Sequence, residues 1–97
     1  MIQSFDDPGT EDIFNGVASR AAGKTLDPSL HGVAKRRLQS LDFSIRLDDL
    51  RVPPGNRLEA LHGDLNGFFS IRINQRWRIV FKWLENGPTL VRICDYH

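Results

Sequence analysis

Between Gly67 and Trp83 the chain alternates with a period of two, and this stretch restricts the fold more than any other. Phe69, Ile71 and Ile73 fall on one side of an extended segment, with Phe68, Ser70 and Arg72 on the other. Beyond them Trp77, Ile79, Phe81 and Trp83 alternate with Arg78, Val80 and Lys82. Two such segments in succession make an antiparallel hairpin, and its register follows from the apolar positions. Only an odd-length loop such as Asn74-Gln75-Arg76 sets Ile73 opposite Trp77, Ile71 opposite Ile79 and Phe69 opposite Phe81. A two-residue loop opposes Ile71 to Arg78 and mixes the faces. The odd loop therefore places Arg72 across from Arg78 on the second face.

The same reasoning at Asn86-Gly87-Pro88 opposes Trp83 to Val91, Phe81 to Ile93 and Arg78 to Tyr96. Two like charges side by side repel unless an anion or a partner offsets them. The expectation is a patch of Arg72, Arg78 and Tyr96 on a sheet face free of helices. Arg78 is then solvent-exposed and contributes under about 1 kcal/mol to stability.

Around this hairpin pair the rest of the chain reads as one core with no repeat or long linker, a single domain over residues 1–97. Residues 1–5 suit a short strand. Asp7-Pro8 supplies an N-cap and a first-turn proline for a short helix through Phe14. Residues 16–24, rich in small side chains, read as a mobile loop. Asp27-Pro28 repeats the start signal, and Leu30, Val33, Ala34, Leu38 and Leu41 follow at helical spacing, so the main helix spans about residues 28–43. Val52-Pro53-Pro54-Gly55-Asn56 is a stiff turn that delivers residues 57–62 as a strand or extended segment. The expected fold is α+β: a small antiparallel twisted sheet of four to five strands with two N-terminal helices packed on one face.

Composition removes several classes. With 40% hydrophobic and 26% charged residues the chain is an ordinary globular protein. It has no run of about 18 apolar residues, and its first dozen residues lack the basic and apolar regions of a signal peptide, so no membrane association is expected. The lone Cys94 has no internal disulfide partner and fits a cytoplasmic location. Net charge is only +1, yet residues 70–82 carry Arg72, Arg76, Arg78 and Lys82 without an acid. Such a distribution points to one anionic ligand site and not to a uniformly basic body.

Arginine suits a developing phosphorane because its planar fork donates two parallel hydrogen bonds and stays charged. Internal cleavage of RNA needs a base for the 2'-hydroxyl, an acid for the departing 5'-oxygen and cationic stabilisation of the transition state. Glu59, His62, Tyr96 and His97 are the residues able to supply the first two roles, and Arg78 with Arg76 the third. Asp95 is read either as part of the chemistry or as an orienting group at the sheet end. His31 is assigned to the solvent side of the main helix, Trp77 and Trp83 to the core, and Cys94 to an inert position. No metal-ligand spacing is present among the candidates, and neither a metal nor another cofactor is expected.

The segments PPGNRLEALHGD at 53–64, GFFSIRINQRWRIVFKW at 67–83 and ICDYH at 93–97, following a short strand and helices, resemble the HigB branch of the RelE/ParE toxin superfamily over nearly the whole chain. The resemblance implies a RelE-like fold and a toxin of a type II toxin-antitoxin system, a ribosome-dependent endoribonuclease that cleaves translated mRNA. It implies neutralisation by a helix-turn-helix antitoxin of the HigA type, with operator DNA reached only through that antitoxin. Carried over by position, the catalytic face uses Arg78, Tyr96, His97, Glu59, His62 and Asp95. Arg72, Arg76, Lys82 and Arg57 are expected to hold the substrate. Some relatives have His where Glu59 stands, Lys where His62 stands, and Asn or Gln where Arg76 stands, so acid and base stay unassigned between these residues. Two other classes remain open: a ParE-type toxin that binds DNA gyrase without cutting nucleic acid, and a module whose basic face docks an acidic protein.

Overall fold

The computed structural model describes residues 1–95. Its first helix, α1 (Pro8–Asn15), begins where the Asp7 carboxylate accepts from the Thr10 N–H at 2.6 Å and from the Thr10 hydroxyl at 3.0 Å. Asp7→Ala is expected to lower stability by about 1 kcal/mol, the usual loss for an N-cap, measurable as a shift of the urea midpoint. Gly16, at a φ of 74°, closes the helix in the left-handed conformation that glycine adopts without strain.

Residues 16–24 differ from the expected loop. They contain a second helix, α2 (Arg20–Thr25), started by the Ser19 hydroxyl, which accepts from the Ala22 N–H and donates to Asp12. The small side chains that suggest mobility instead permit close packing. A β-carbon placed on Gly9 of α1 would lie 2.6 Å from the Ala21 carbonyl oxygen and would clash with the Thr25 hydroxyl. The main helix is confirmed: a 3-10 turn at Pro28–Leu30, capped by Asp27, runs into α3 (His31–Phe43). Its Ala34, Leu38 and Leu41 are buried as the spacing requires. His31 departs from its expected solvent position, since its Nε2 lies 2.7 Å from the Leu26 carbonyl and 3.1 Å from that of Ala22. It bonds the carbonyls at the C-terminal end of α2, that of Leu26 and that of Ala22, the latter shared with the Leu26 N–H.

Four strands follow in the order β1 (Glu59–Ala60), β2 (Phe68–Arg72), β3 (Trp77–Leu84), β4 (Gly87–Asp95), every neighbouring pair antiparallel. The β2–β3 register is the one the alternation demands: Phe69 pairs with Phe81, Ile71 with Ile79 and Arg72 with Arg78. The Ile73 N–H donates to the Trp77 carbonyl at 2.9 Å, closing the three-residue loop. Ile71, Ile73, Ile79, Phe81, Val91 and Ile93 then meet Ile13, Ala22, Leu38 and Leu41 of the three helices in one apolar cluster. Burial of such a side chain contributes roughly 1.5–3 kcal/mol, and this layer holds the domain together.

The β3–β4 hairpin corrects the expected register. Leu84 pairs with Gly87 across a Glu85-Asn86 turn, and Arg78 pairs with Cys94 instead of Tyr96. The cause is twofold. Gly87, with a φ of 125°, enters β4 directly after the turn, and a bulge at Leu90, which has a φ of 53°, adds a residue to β4 opposite Phe81. Residues 1–5 do not form a full strand of the sheet. They run parallel to β4, touching it through the Phe5–Val91 bridge and the bond from Gln3 N–H to the Pro88 carbonyl.

Candidate active site

The sheet face away from the helices is not as open as the alternation implies. Ser70 and Val80 at its centre are fully buried, and Arg78 is 7% exposed. The covering element is the stretch between α3 and β1, whose 3-10 turn at Pro54–Asn56 packs against β2. It brings Arg57, held in the left-handed region at a φ of 47°, over the arginine side of the sheet.

Arg78 is fixed there by bonds on two of its nitrogens. Nε donates to the Ser70 hydroxyl at 2.8 Å, and Nη2 donates to the Arg57 carbonyl at 2.6 Å. The Glu59 Oε1 stands 3.9 Å from Nη2, the outer limit of an ion pair, on a half-exposed side chain. The expected solvent-exposed Arg78 is therefore a buried, bonded one. The Arg72–Arg78 juxtaposition is real, and Glu59 with these two oxygen acceptors offsets part of the repulsion within the protein itself.

The other expected residues divide into those near this centre and those away from it. Arg72 is half-buried on the adjoining strand, and Arg57 contributes its carbonyl while its side chain is exposed. Arg76 sits at the hairpin loop, where its Nε donates to Asp95 at 2.7 Å and its guanidinium lies 5.2 Å from the Trp77 ring centroid. Asp95 thus meets Arg76 at the sheet end. Asn74 braces the same loop by accepting from the Arg76 and Trp77 N–H groups. His62 lies past the end of β1 and is exposed. Lys82 rests 5.1 Å over the Phe68 ring, four residues along β3 from Arg78, about 13 Å at the strand rise. Tyr96 and His97, expected in the catalytic set, lie outside the described residues.

Three residues of the site region escape sequence reasoning. Ser70 had a signal, being a hydroxyl on the arginine face of an otherwise apolar strand. Asn56, fully buried, reads in sequence only as a turn residue. Arg92 pairs with Val80 and so shares a face with Arg78, reaching to 3.9 Å from Asp6. Cys94, across the ladder from Arg78, is half-buried, and burial pushes its thiol above the ordinary value, so it stays protonated and unreactive at neutral pH. Among the described residues no three His, Cys, Asp or Glu side chains gather as a metal site.

Residues 3–97 match the family described as RelE-like toxin of type II toxin-antitoxin system HigB. The chain belongs to the HigB-like toxins. Among relatives of this toxin, Toxin HigB-1 of Vibrio cholerae is 39% identical over 74 residues, covering 76% of this chain and 77% of that one. Endoribonuclease HigB of Proteus vulgaris is 30% identical over 98 residues and aligns with the whole of both chains. The fold of the HigB-like toxin is similar to that of YoeB in the YoeB-YefM complex from Staphylococcus aureus, with a TM-score of 0.61, 18% identity and coverage of 100% and 98% of the two chains. It is also similar to YafQ from E. coli, with a TM-score of 0.58, 11% identity and coverage of 99% and 92%. The α+β architecture of a RelE-like toxin is thereby shown. As a toxin of a toxin-antitoxin system, the HigB-like protein has an antitoxin as its partner. No helix among the described residues is long and apolar enough to cross a membrane.

Proposed function

We propose that this HigB-like toxin, an endoribonuclease, cleaves mRNA on the ribosome with Arg78 at the reacting phosphate. The observation that carries the reading is the Arg78 guanidinium, held by Ser70 and Arg57 with Glu59 beside it and Arg72 across the ladder. A cation locked before the substrate arrives needs no reorganisation as charge builds on phosphorus. The 2'-hydroxyl loses its proton to a base and attacks phosphorus, and the 5'-oxygen departs with a proton from an acid. Among the described residues Glu59 is a candidate base or acid beside Arg78, and Tyr96, His97 and His62 complete the candidate set. Arg72, Arg76, Arg57 and Lys82 hold the RNA backbone, and Asp95 sets the direction of Arg76.

The antitoxin is of the HigA helix-turn-helix type, operator DNA is contacted only through it, and the toxin works in the cytoplasm where translation occurs. Ribosome dependence is supported by the small extent of the basic patch: four basic side chains within residues 70–82, on a protein of net charge +1, leave orientation of the RNA to come from elsewhere, and orientation is worth several kcal/mol of a barrier. Primer extension tests this. In a translating extract the protein is expected to cut mRNA inside translated frames and to leave the same purified RNA almost intact. Equal cutting of naked RNA overturns the dependence.

A further inference from the structure

Two buried side chains outside the expected set converge on Arg78. Ser70, fully buried in β2, presents its hydroxyl oxygen to Arg78 Nε at 2.8 Å. Asn56, equally buried, is tied on both sides of its carboxamide. Its Oδ1 accepts from Arg37 Nη1 of α3 at 3.0 Å, and its Nδ2 donates to the carbonyls of Leu50 at 3.2 Å and Val52 at 3.4 Å. The residue that follows is Arg57, whose left-handed backbone turns its carbonyl to Arg78 Nη2. A carboxamide bonded at every edge leaves the preceding turn one position relative to α3. The Arg57 carbonyl inherits that position, so the depth of the guanidinium is set from α3 through Asn56 and from β2 through Ser70.

We propose that Ser70 and Asn56 are positioning residues for RNA cleavage, acting through the Arg78 guanidinium, Ser70 directly and Asn56 through the carbonyl of Arg57. The proposal rests on Arg78 being the cation at the reacting phosphate. Both side chains are buried and neither contacts RNA, so their removal slows the chemical step and leaves ribosome affinity in place. Misplacing a catalytic donor by about 1 Å is enough to slow a reaction by as much as about 10²-fold.

A double-mutant cycle tests the proposal. Single-turnover cleavage of mRNA is measured on programmed ribosomes, per folded molecule, with ribosome affinity determined separately by co-sedimentation. Ser70→Ala and Asn56→Ala are each combined with Arg78→Met, which keeps the bulk of the arginine stem without its donors. Each single variant is expected to cleave about 10-fold more slowly at unchanged affinity, and neither is expected to slow the Arg78→Met protein further. Losses that multiply in the Arg78→Met background, a loss of affinity in place of rate, or a Ser70→Ala protein at the parental rate overturn the proposal. Where Asn56→Ala does not fold, Ser70→Ala, which removes a single oxygen, decides it. An Arg78→Met protein that cleaves at the parental rate instead overturns the assignment of Arg78 itself, an outcome distinct from all of these.

Discussion

Arg78→Ala is expected to reduce cleavage by about 10²-fold or more and to destabilise the fold by about 2–4 kcal/mol. The catalytic loss is that of a preorganised donor opposite charge that develops at phosphorus. The loss of stability has a separate origin. Removing the guanidinium leaves the buried Ser70 hydroxyl and the Arg57 carbonyl without the donor they hold, and opens a void beneath the turn that covers the sheet. Exposed arginines lack this second effect, so the pair of measurements discriminates. Urea denaturation monitored by tryptophan fluorescence reads the loss of stability, and primer extension at equal folded concentration reads the loss of cleavage. A parental urea midpoint would contradict the burial of Arg78, and undiminished cleavage would contradict its role.

Gly9→Ala is expected to destabilise the fold by about 2–3 kcal/mol. Its β-carbon would meet the Ala21 carbonyl oxygen at 2.6 Å, and backbone cannot rotate aside as a side chain does. Relief requires α1 and α2 to separate. Ala22 and Leu26 would then withdraw from the core cluster they share with Ile13. Thermal unfolding followed by circular dichroism is the measurement, with Gly23→Ala as its internal comparison. A β-carbon on Gly23 meets nothing within 4 Å, so that variant should match or exceed the parent, alanine being the better helix former. A Gly9→Ala protein with an unchanged midpoint would show that the two helices are not in this close contact.

The β2–β3 register is legible in the sequence because a slip of one residue sends Ile71 and Ile79 to the arginine side, a penalty the pattern makes visible. The β3–β4 register is not legible, because a slip of two residues keeps every face. Ile93 points to the core whether it pairs with Phe81, as expected, or with Ile79, as observed, so apolar alternation cannot separate the two. Turn residues decide it, and the Leu90 bulge has no apolar signature. The burial of Arg78 is likewise nonlocal. It depends on a turn more than twenty residues upstream that Asn56 anchors to α3, and PPGN by itself reports only stiffness. Helix α2 escapes for a local reason: six residues make too short a window for periodicity, and its Ala-Ala-Gly run resembles a loop until Gly9 is seen against it. The arginines were found because charge stands out on an apolar strand, whereas Ser70 and Asn56 are neutral and take their meaning from what they touch.

The segment that accompanies β4 has a consequence for how this toxin meets other chains. Outward hydrogen-bonding groups of β4 are already engaged between residues 88 and 93: the Pro88 carbonyl by Gln3, the Leu90 N–H by the Ser4 hydroxyl, both Val91 groups by Ser4 and Asp6, and the Ile93 N–H by the Thr10 hydroxyl. An unpaired strand edge is a template for aggregation and for strand exchange. Here that margin is sealed from residues 88 to 93, and the opposite margin is the two-residue β1. At the β1 margin a second chain finds Glu59 and Ala60 to build on, too little for a stable ladder. Strand addition along residues 88–93 is thereby closed to an antitoxin and to a second copy of the toxin alike.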